Sequence, residues 1–294
     1  MSTNLGKLGV WSFIDNMTSR EAVQFAQQLE QWGYSALWIP EAVGRDPFAI
    51  ISFMAAHTKK LIFATGIANI WARDPMAMNA IHKTVAELAP GRFIMGLGVS
   101  HAPLVKDIRG HAYQKPVSTM RNYLESMQNS LYMAPTAESP APIVLGALRQ
   151  HMLQLSAEKA SGAHPYFVPP EHTAWARNIL GPDALLCPEQ KLLLESDPDT
   201  ARRIARSHMG TYTALDNYKN NLRQFGFEDA DFENSGSDKL VDAIVAWGDE
   251  SALQDRVKAH WQAGANHVCI QALQDGSMSG PDMKLLELMA PLNR

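Results

Sequence analysis

Residues 92–103, "RFIMGLGVSHAP", combine two glycines with a histidine just beyond them, and both features could serve chemistry. Gly96 and Gly98 could open a glycine loop that binds a dinucleotide, or they could let a flat molecule come close to a strand. The full dinucleotide pattern requires a third glycine at position 101, where His101 stands, and Pro103 takes the place of an immediate helix. We therefore interpret the stretch as a strand with a histidine past its end.

Metal-dependent and serine-dependent chemistry lack their usual patterns in this sequence. Metal-dependent barrel hydrolases usually carry an H-x-H pair at the end of the first strand, and that place reads "WSF", residues 11–13. The chain has no H-E-x-x-H and no C-x-x-C, and its histidines are scattered. The segment "GVSHA" at 98–102 lacks the last glycine of the G-x-S-x-G nucleophile turn. We expect no metal ligands, and a metal hydrolase is only a minor alternative.

The composition indicates a large core and a small-molecule partner. The chain has 294 residues, of which 46% are hydrophobic, with a net charge of -4 and a pI near 6.2. The hydrophobic fraction disfavours a disordered chain. The negative charge disfavours nucleic acid and an anionic membrane as partners. Two separated cysteines, no membrane-length apolar run and no secretion signal favour a cytoplasmic location. We expect one domain over residues 1–294.

Short apolar runs alternate with helical patterns along the chain. The segment 18–21 has the form of a capping box, and Asp46-Pro47 and Asp74-Pro75 place an N-cap before a proline at the first helical position. Such alternation predicts parallel strands joined by helices. Eight units in about 250 residues or more predict an α/β TIM barrel with extra helices after the fourth and seventh strands, and a doubly wound sheet is the alternative. The expected strands lie at 8–13, 36–41, 61–70, 93–99, 141–148, 162–168, within 183–195 and at 266–273.

Aromatic residues gather near the ends of the expected strands, where a TIM barrel carries its site. Trp11, Phe13, Trp71 and Tyr166 are among them. A wide apolar cleft with a few polar groups is typical of a small-molecule pocket. We predict that Trp11, Phe13 and Trp71 contact the substrate, and the alternative for each tryptophan is a half-buried core position.

With its elements placed, the chain resembles the luciferase-like monooxygenase superfamily, and most of all its coenzyme F420-dependent oxidoreductase branch. The matching segments occur in the family's order and cover nearly the whole barrel, although no single motif is decisive. They are "ALWIPEAVGRDPF" (36–48), "TGIANIWARDPMAM" (65–78), "APGRFIMGLGVSHAPLV" (89–105), "PIVLGALRQHMLQLSAEKASGAHPYFV" (142–168) and "LLCPEQ" (185–190).

The resemblance implies where a flavin-like ring and its tail would bind. The third strand of the family often ends in a bulge with a non-prolyl cis peptide bond that supports the ring, and Asn69-Ile70 occupies that place, so we expect the bulge at 68–70. Backbone amides of a glycine-containing turn and the following helix hold the tail, which the turn at 146–149 matches. The cofactor-binding residues expected on this basis are Gly66, Ala68, Asn69, Ile70, Gly98, Val99, Ser100, Gly146, Ala147, Leu148, Arg149 and His164.

The expected catalytic residues follow from two departures from the family pattern. Several F420 dehydrogenases end the second strand with an acidic residue and a histidine, and here the pair is Glu41-Ala42. After the fourth strand some members place a glutamate that donates a proton, and His101 stands at about that position. A histidine near its ordinary pKa can do the same work at neutral pH. We expect His101 to be the general acid or base, with Glu41 assisting it or contacting the cofactor.

The resemblance therefore implies a two-electron oxidoreductase that uses coenzyme F420, a deazaflavin, to move a hydride to or from a small organic substrate. The first alternative keeps the barrel and uses FMN, as a monooxygenase or a reductase. The second is a barrel that binds a flavin without catalysis, because the histidine of the second strand is absent. The family resemblance also suggests a homodimer.

Overall fold

The computed structural model describes residues 5–276 and 280–293, and all its paired strands are parallel. Residues 1–4, 277–279 and 294 of the predicted single domain lie outside the described residues. The strands are β1 Leu8–Trp11, β2 Ala36–Ile39, β3 Ile62–Thr65, β4 Ala68–Asn69, β5 Phe93–Gly98, β6 Ile143–Leu145, β7 Gly162–Ala163, β8 Leu185–Leu186, β9 Glu189–Leu194, β10 Val245–Gly248 and β11 Val268–Leu273.

Helices connect the strands, and α1, α2 and α3 begin at the start signals that the sequence predicts. The α-helices are α1 Ser19–Gln31, α2 Pro47–Ala56, α3 Pro75–Leu88, α4 Pro116–Gln128, α5 Gln150–Lys159, α6 Pro170–Leu180, α7 Pro198–Thr213, α8 Asp216–Leu222, α9 Asp238–Ile244, α10 Glu250–Gln262 and α11 Met283–Leu288. Thr18 and Glu21 form the expected capping box. Asp46 and Asp74 each accept two backbone amides of the helix that follows.

The parallel sheet curls into a closed ring. Its hydrogen-bonded order is β10-β9-β11-β1-β2-β3-β5-β6-β7-β8. β8 and β9 are two stretches of one run, and this run bonds to strands on both sides: the Cys187 amide donates to the Ala163 carbonyl at 2.9 Å, and the Cys269 amide donates to the Pro188 carbonyl at 3.0 Å. The TIM barrel is therefore confirmed, and the doubly wound alternative is wrong.

One strand was not predicted. β10 follows α9 directly and pairs with residues 191–194 of β9, on the side that β7 no longer covers. β10 has only four residues, and no turn separates it from α9. Its sequence therefore does not distinguish a strand from the end of a helix, and the sequence analysis predicts only helices in this segment.

The expected additional helices after the fourth and seventh barrel strands are present. A π-helical turn, Leu104–Ile108, lies within the segment 101–115 that we expected to be a loop. After β9 the chain forms α7 and α8 and then two 3₁₀ segments, Arg223–Phe225 and Asp229–Ser235.

The barrel interior holds an aromatic and sulfur-containing cluster that includes Trp11, Trp38, Cys187 and Cys269. Both cysteines are free and fully buried. Burial raises the pKa of the Cys187 thiol to about 12, so this thiol stays protonated and packs as a small apolar group.

Candidate active site

A cavity of about 530 Å³ opens at the carboxyl ends of the strands, where TIM-barrel sites lie. Its surface is mostly apolar, with a few polar groups, and its volume falls within the range of small-molecule pockets. The lining residues are Trp11, Phe13, Pro40, Glu41, Ala42, Gly66, Ile67, Gly98, Val99, Ser100, His101, Leu104, Tyr113, Pro116, Val117, Gly146, Ala147, Leu148, Arg149, His151, Met152, His164, Tyr166, Tyr212, Asn217 and Tyr218.

Most of the predicted site residues meet at this cavity, and four do not. Ala68, Asn69 and Ile70 are buried behind its wall, although we expected them to bind a cofactor. Trp71, which we expected to contact substrate, turns its indole to donate to the Val99 carbonyl at 2.9 Å. These four residues support the wall instead of lining it, because the chain has already re-entered the barrel's hydrogen-bonding pattern at β4.

The bulge of the third strand comes earlier than the resemblance implied. β3 ends at Thr65, and the cis peptide bond joins Gly66 and Ile67, so the expected bulge at 68–70 is wrong. Ala68 already pairs with Leu97 of β5. The residue of this segment whose side chain reaches the cavity is therefore Ile67, which the sequence did not single out.

Gly96 and Gly98 give space to the turn after β3. A Cβ on Gly96 would lie 1.9 Å from the Thr65 carbonyl oxygen, and a Cβ on Gly98 would lie 2.4 Å from Ile67 Cδ1. The side chain of Ile67 therefore occupies the space that we expected Gly98 to leave for a flat ring. Gly146 also packs against Ile67, since its Cβ position is 3.3 Å from Ile67 Cγ2. The result is a cavity floor made of Ile67 and glycine backbone.

Trp11 and His164 support this floor from the barrel interior. The Trp11 indole donates to the Gly66 carbonyl at 2.8 Å. His164 is 2% exposed, stacks on Trp38 and places Nδ1 2.7 Å from the Cys187 carbonyl oxygen. Since a carbonyl only accepts, Nδ1 carries the proton and Nε2 is left as an acceptor, without a partner among the described residues. Burial lowers the pKa of His164 to about 4, which keeps the ring neutral at pH 7.

His101 lies on the cavity wall just before the π-helical turn. Its ring packs 5.4 Å from the Tyr218 ring, measured between centroids, and it hydrogen-bonds to the Asn217 side chain. Burial lowers the pKa of His101 from its ordinary value of 6.5, and the Asn217 hydrogen bond partly opposes this effect. Nδ1 has no hydrogen-bond partner within residues 5–276 and 280–293. His101 is thus a neutral, incompletely satisfied base at pH 7.

Both carboxylate oxygens of Glu41 are occupied. One oxygen lies 2.7 Å from the Arg73 guanidinium, and the other accepts the Asn69 backbone amide at 2.7 Å. Arg73 also pairs with Asp46. Glu41 lines the cavity, but these hydrogen bonds use its carboxylate to connect the end of β2 with β4 and the segment that follows it. Of the two expected acid–base residues, His101 is the one with a free proton acceptor.

The sequence did not identify two tyrosines and an asparagine that form the far wall. Tyr212 and Tyr218 come from the helical region after β9, as does Asn217, and no motif marks them. The Tyr166 hydroxyl donates to the Tyr212 hydroxyl at 2.8 Å and also lies 3.1 Å from Gln271. The aromatic residues on an otherwise polar helical segment were the available signal.

A buried ion pair lies behind these tyrosines. Lys191 Nζ is 3.1 Å from a Glu189 carboxylate oxygen, and each residue is 1% exposed. The same ammonium lies 3.8 Å from the centroid of the Tyr166 ring, a cation–π contact. Burial raises the pKa of Glu189 and lowers that of Lys191, and their mutual attraction opposes both shifts.

The turn at 146–149 opens α5 and lines the cavity. No side chain caps the amino end of α5 through a hydrogen bond. Its first backbone amides are available to an anionic group, as at other helix amino ends. Within the described parts of the chain, no group of three or more His, Cys, Asp or Glu residues is arranged to hold a metal ion. None of the described helices combines the length and apolarity that crossing a bilayer requires.

Curated relatives match part of this chain. A candidate coenzyme F420-dependent oxidoreductase of Mycobacterium tuberculosis is 27% identical over 166 residues, which are 56% of this chain and 45% of that protein. The 5,10-methylenetetrahydromethanopterin reductase of Archaeoglobus fulgidus is 24% identical over 173 residues, 53% of this chain and 52% of that one. The chain thus spans about half the length of these relatives.

Solved structures resemble nearly the whole fold. An F420-dependent secondary alcohol dehydrogenase in complex with an F420-acetone adduct has a TM-score of 0.74 at 13% identity, covering 92% of this chain and 93% of that one. The oxygenating constituent of 3,6-diketocamphane monooxygenase from Pseudomonas putida, in complex with FMN, has a TM-score of 0.70 at 12% identity, covering 97% and 96%. At these identities the similarity concerns the fold alone.

The family is shown by the sequence itself. The sequence model of the luciferase-like monooxygenase family matches residues 6–267, which make up most of the chain and include β1 to β10. This chain belongs to the luciferase-like monooxygenase family.

Proposed function

We propose that this protein is a coenzyme F420-dependent oxidoreductase that moves a hydride between the deazaflavin and a small organic substrate. The observation that carries the proposal is the apolar floor that the Ile67 side chain and the backbone of Gly98 and Gly146 form in a cavity of about 530 Å³. A planar ring can pack its face on the Ile67 side chain, which the glycine backbone and Trp11 support. The candidate coenzyme F420-dependent oxidoreductase of Mycobacterium tuberculosis and the similar fold of the F420-dependent secondary alcohol dehydrogenase support the choice of deazaflavin.

The residues present fit such a group at three places. Ile67 would contact the ring face, and the uncapped amino end of α5 with Arg149 would hold the anionic tail. The unpartnered Nε2 of His164 is an acceptor close to the floor, since it lies 3.0 Å from the Cβ position of Gly66. When bound, the deazaflavin supplies or accepts the hydride, and the protein provides orientation and proton transfer.

His101 has the properties of the base that such a reaction needs. Its lowered pKa leaves it neutral at pH 7, so it can take the hydroxyl proton of an alcohol as the carbon loses a hydride. Asn217 and Tyr218 hold the imidazole at the wall. In the reverse direction the protonated ring returns the same proton to the carbonyl oxygen. Glu41 keeps its carboxylate for Arg73 and the Asn69 amide and takes no part in the proton transfer.

Titration of the purified protein with coenzyme F420 and with FMN, followed by ligand fluorescence, tests the cofactor. We expect saturable binding of F420, and weakening by about tenfold or more for Gly98→Val, since the added methyl groups displace Ile67. Tight binding of FMN with no response to F420 would overturn the proposal.

The second candidate is an FMN-dependent oxidoreductase or monooxygenase on the same floor. The similar fold of the diketocamphane enzyme, whose structure contains FMN, favours this candidate. A yellow protein with an FMN spectrum after purification supports this candidate. If either ligand binds but no hydride transfer is measurable with a panel of alcohols and carbonyl compounds, the non-catalytic flavin-binding barrel is favoured.

A further inference from the structure

A second cavity lies beside the first, and its walls are charged where those of the first are apolar. It measures about 580 Å³ and includes Arg45, Arg73, Arg109 and His111. Glu41, Ala42 and Leu104 line both cavities. The two cavities therefore adjoin at these shared residues.

The second cavity contains two arginines that the protein does not neutralise. Arg73 is balanced by Glu41 and Asp46, which also line the cavity. By contrast, no carboxylate oxygen of the described residues lies within 4.0 Å of the side-chain nitrogens of Arg45 or Arg109. The lining therefore carries three guanidinium groups and two carboxylates, an excess of positive charge.

The hydrogen-bonding capacity of these two guanidinium groups is also unfilled. Arg109 makes one long contact, from Nη2 to the Ala42 carbonyl at 3.5 Å. Arg45 donates to the Ser19 hydroxyl at 3.4 Å and to the Met17 carbonyl. In both residues Nε is buried without a partner among the described residues. Each guanidinium offers five donors in a planar fork, a geometry that matches carboxylate and phosphate oxygens.

We propose that the second cavity binds an anionic group of the substrate, a carboxylate or a phosphate ester, while the reacting carbon lies in the first cavity. This assignment rests on the proposed function of the first cavity. On the proposed function, the turn of residues 146–149 after β6 would hold the cofactor's own anionic groups, and Arg149 does not line the second cavity. Arg45 follows β2, and Arg109, which follows β5, places its guanidinium 3.5 Å from the Ala42 carbonyl beyond β2.

Calorimetric titration of the full-length protein with inorganic phosphate tests the site, first without cofactor and then with saturating coenzyme F420. We expect one phosphate site in both conditions. Arg45→Gln and Arg109→Gln should each raise its dissociation constant by about tenfold or more, because a charge-assisted, bidentate contact is lost. Arg121→Gln removes an equal charge from the exposed Arg121–Glu158 pair and should leave phosphate binding unchanged.

The outcomes separate this inference from the proposed function. Phosphate affinity that is unaffected by either substitution would exclude the anion site. If F420 displaces phosphate, the site binds the cofactor, and the substrate assignment is wrong. If F420 fails to bind while phosphate still depends on Arg45 and Arg109, the cofactor proposal alone fails. Circular dichroism verifies folding, and Arg109→Lys, which keeps the charge without the fork, replaces any unfolded Arg109 variant and should weaken binding less.

Discussion

The indole of Trp11 donates a hydrogen bond of 2.8 Å to the carbonyl oxygen of Gly66, linking the end of β1 to the end of β3 beneath the cavity floor. The hydrogen bond is buried, so removing the indole N–H leaves the Gly66 carbonyl without its protein donor. The bond fixes the backbone segment from which Ile67 enters the cavity.

Trp11→Phe should therefore destabilise the protein by about 1–3 kcal/mol, the cost of leaving the Gly66 carbonyl unsatisfied. Urea unfolding measures the change. Trp261→Phe is the matched control, because its indole also donates to a backbone carbonyl, that of Lys7 at 3.1 Å, but at an exposed site. Equal losses for the two variants would contradict a special role for the buried bond.

The rate of hydride transfer should be constant at high pH and should fall as the pH drops through the pKa of His101, which lies below 6.5. His101 must be unprotonated to act as a base, and burial lowers its pKa. His101→Ala should lower the rate by about 100-fold or more, while Asn217→Ala should shift the acid limb to lower pH, because the lost hydrogen bond favours the charged ring. Stopped-flow measurement of cofactor absorbance gives these rates. A limb that moves upward in Asn217→Ala would refute the assignment.

Glu41→Gln should affect stability far more than catalysis. It removes a charge that is 7% exposed and paired with Arg73, which retains Asp46, so we expect a loss of about 2 kcal/mol of unfolding free energy. The hydride-transfer rate should change by less than about threefold. A 100-fold loss of rate with unchanged stability would make Glu41, not His101, the proton-transfer residue.

Lys191→Met should destabilise the protein strongly, by about 3–5 kcal/mol, because Glu189 is left buried without its partner. The double variant Glu189→Gln and Lys191→Met should recover most of this loss. Chemical unfolding of the three variants gives the coupling between the two residues. Lys258→Met, which breaks the exposed pair with Asp255, is the control and should leave the unfolding midpoint unchanged. A double variant no more stable than Lys191→Met would contradict the coupling.

The free energy of unfolding should fall as the pH drops from 6.5 toward 4. Burial lowers the pKa of His164, His172 and His267 to about 4 and that of His260 to about 3. The unfolded chain binds protons near pH 6.5 and the folded chain does not, so each histidine costs about 2 kcal/mol by pH 5. Urea unfolding at pH 7.5 and 5 tests this. His267→Gln should reduce the loss, the exposed His57→Gln should not, and equal stability at both pH values would disprove it.

The sequence predicted the barrel well because its signals are local. Aspartate before proline marks the starts of α2, α3 and α7, and each strand run carries its own apolar pattern. The cavity floor was harder to predict, because Ile67 becomes a lining residue only through the close approach of β3 to Gly96 and Gly98. Tyr212 and Tyr218 were missed for a similar reason, since only the packing of α7 and α8 over the barrel brings them to the site.

β10 also has a consequence for the behaviour of the chain in concentrated solution. Without it, residues 191–194 of β9 would present free amides and carbonyls along an apolar stretch, a surface that recruits strands from other molecules. β10 itself is only four residues long and ends at Gly248, so it is a poor template for further pairing. By pairing with residues 191–194, β10 prevents this edge of β9 from pairing with strands of other molecules.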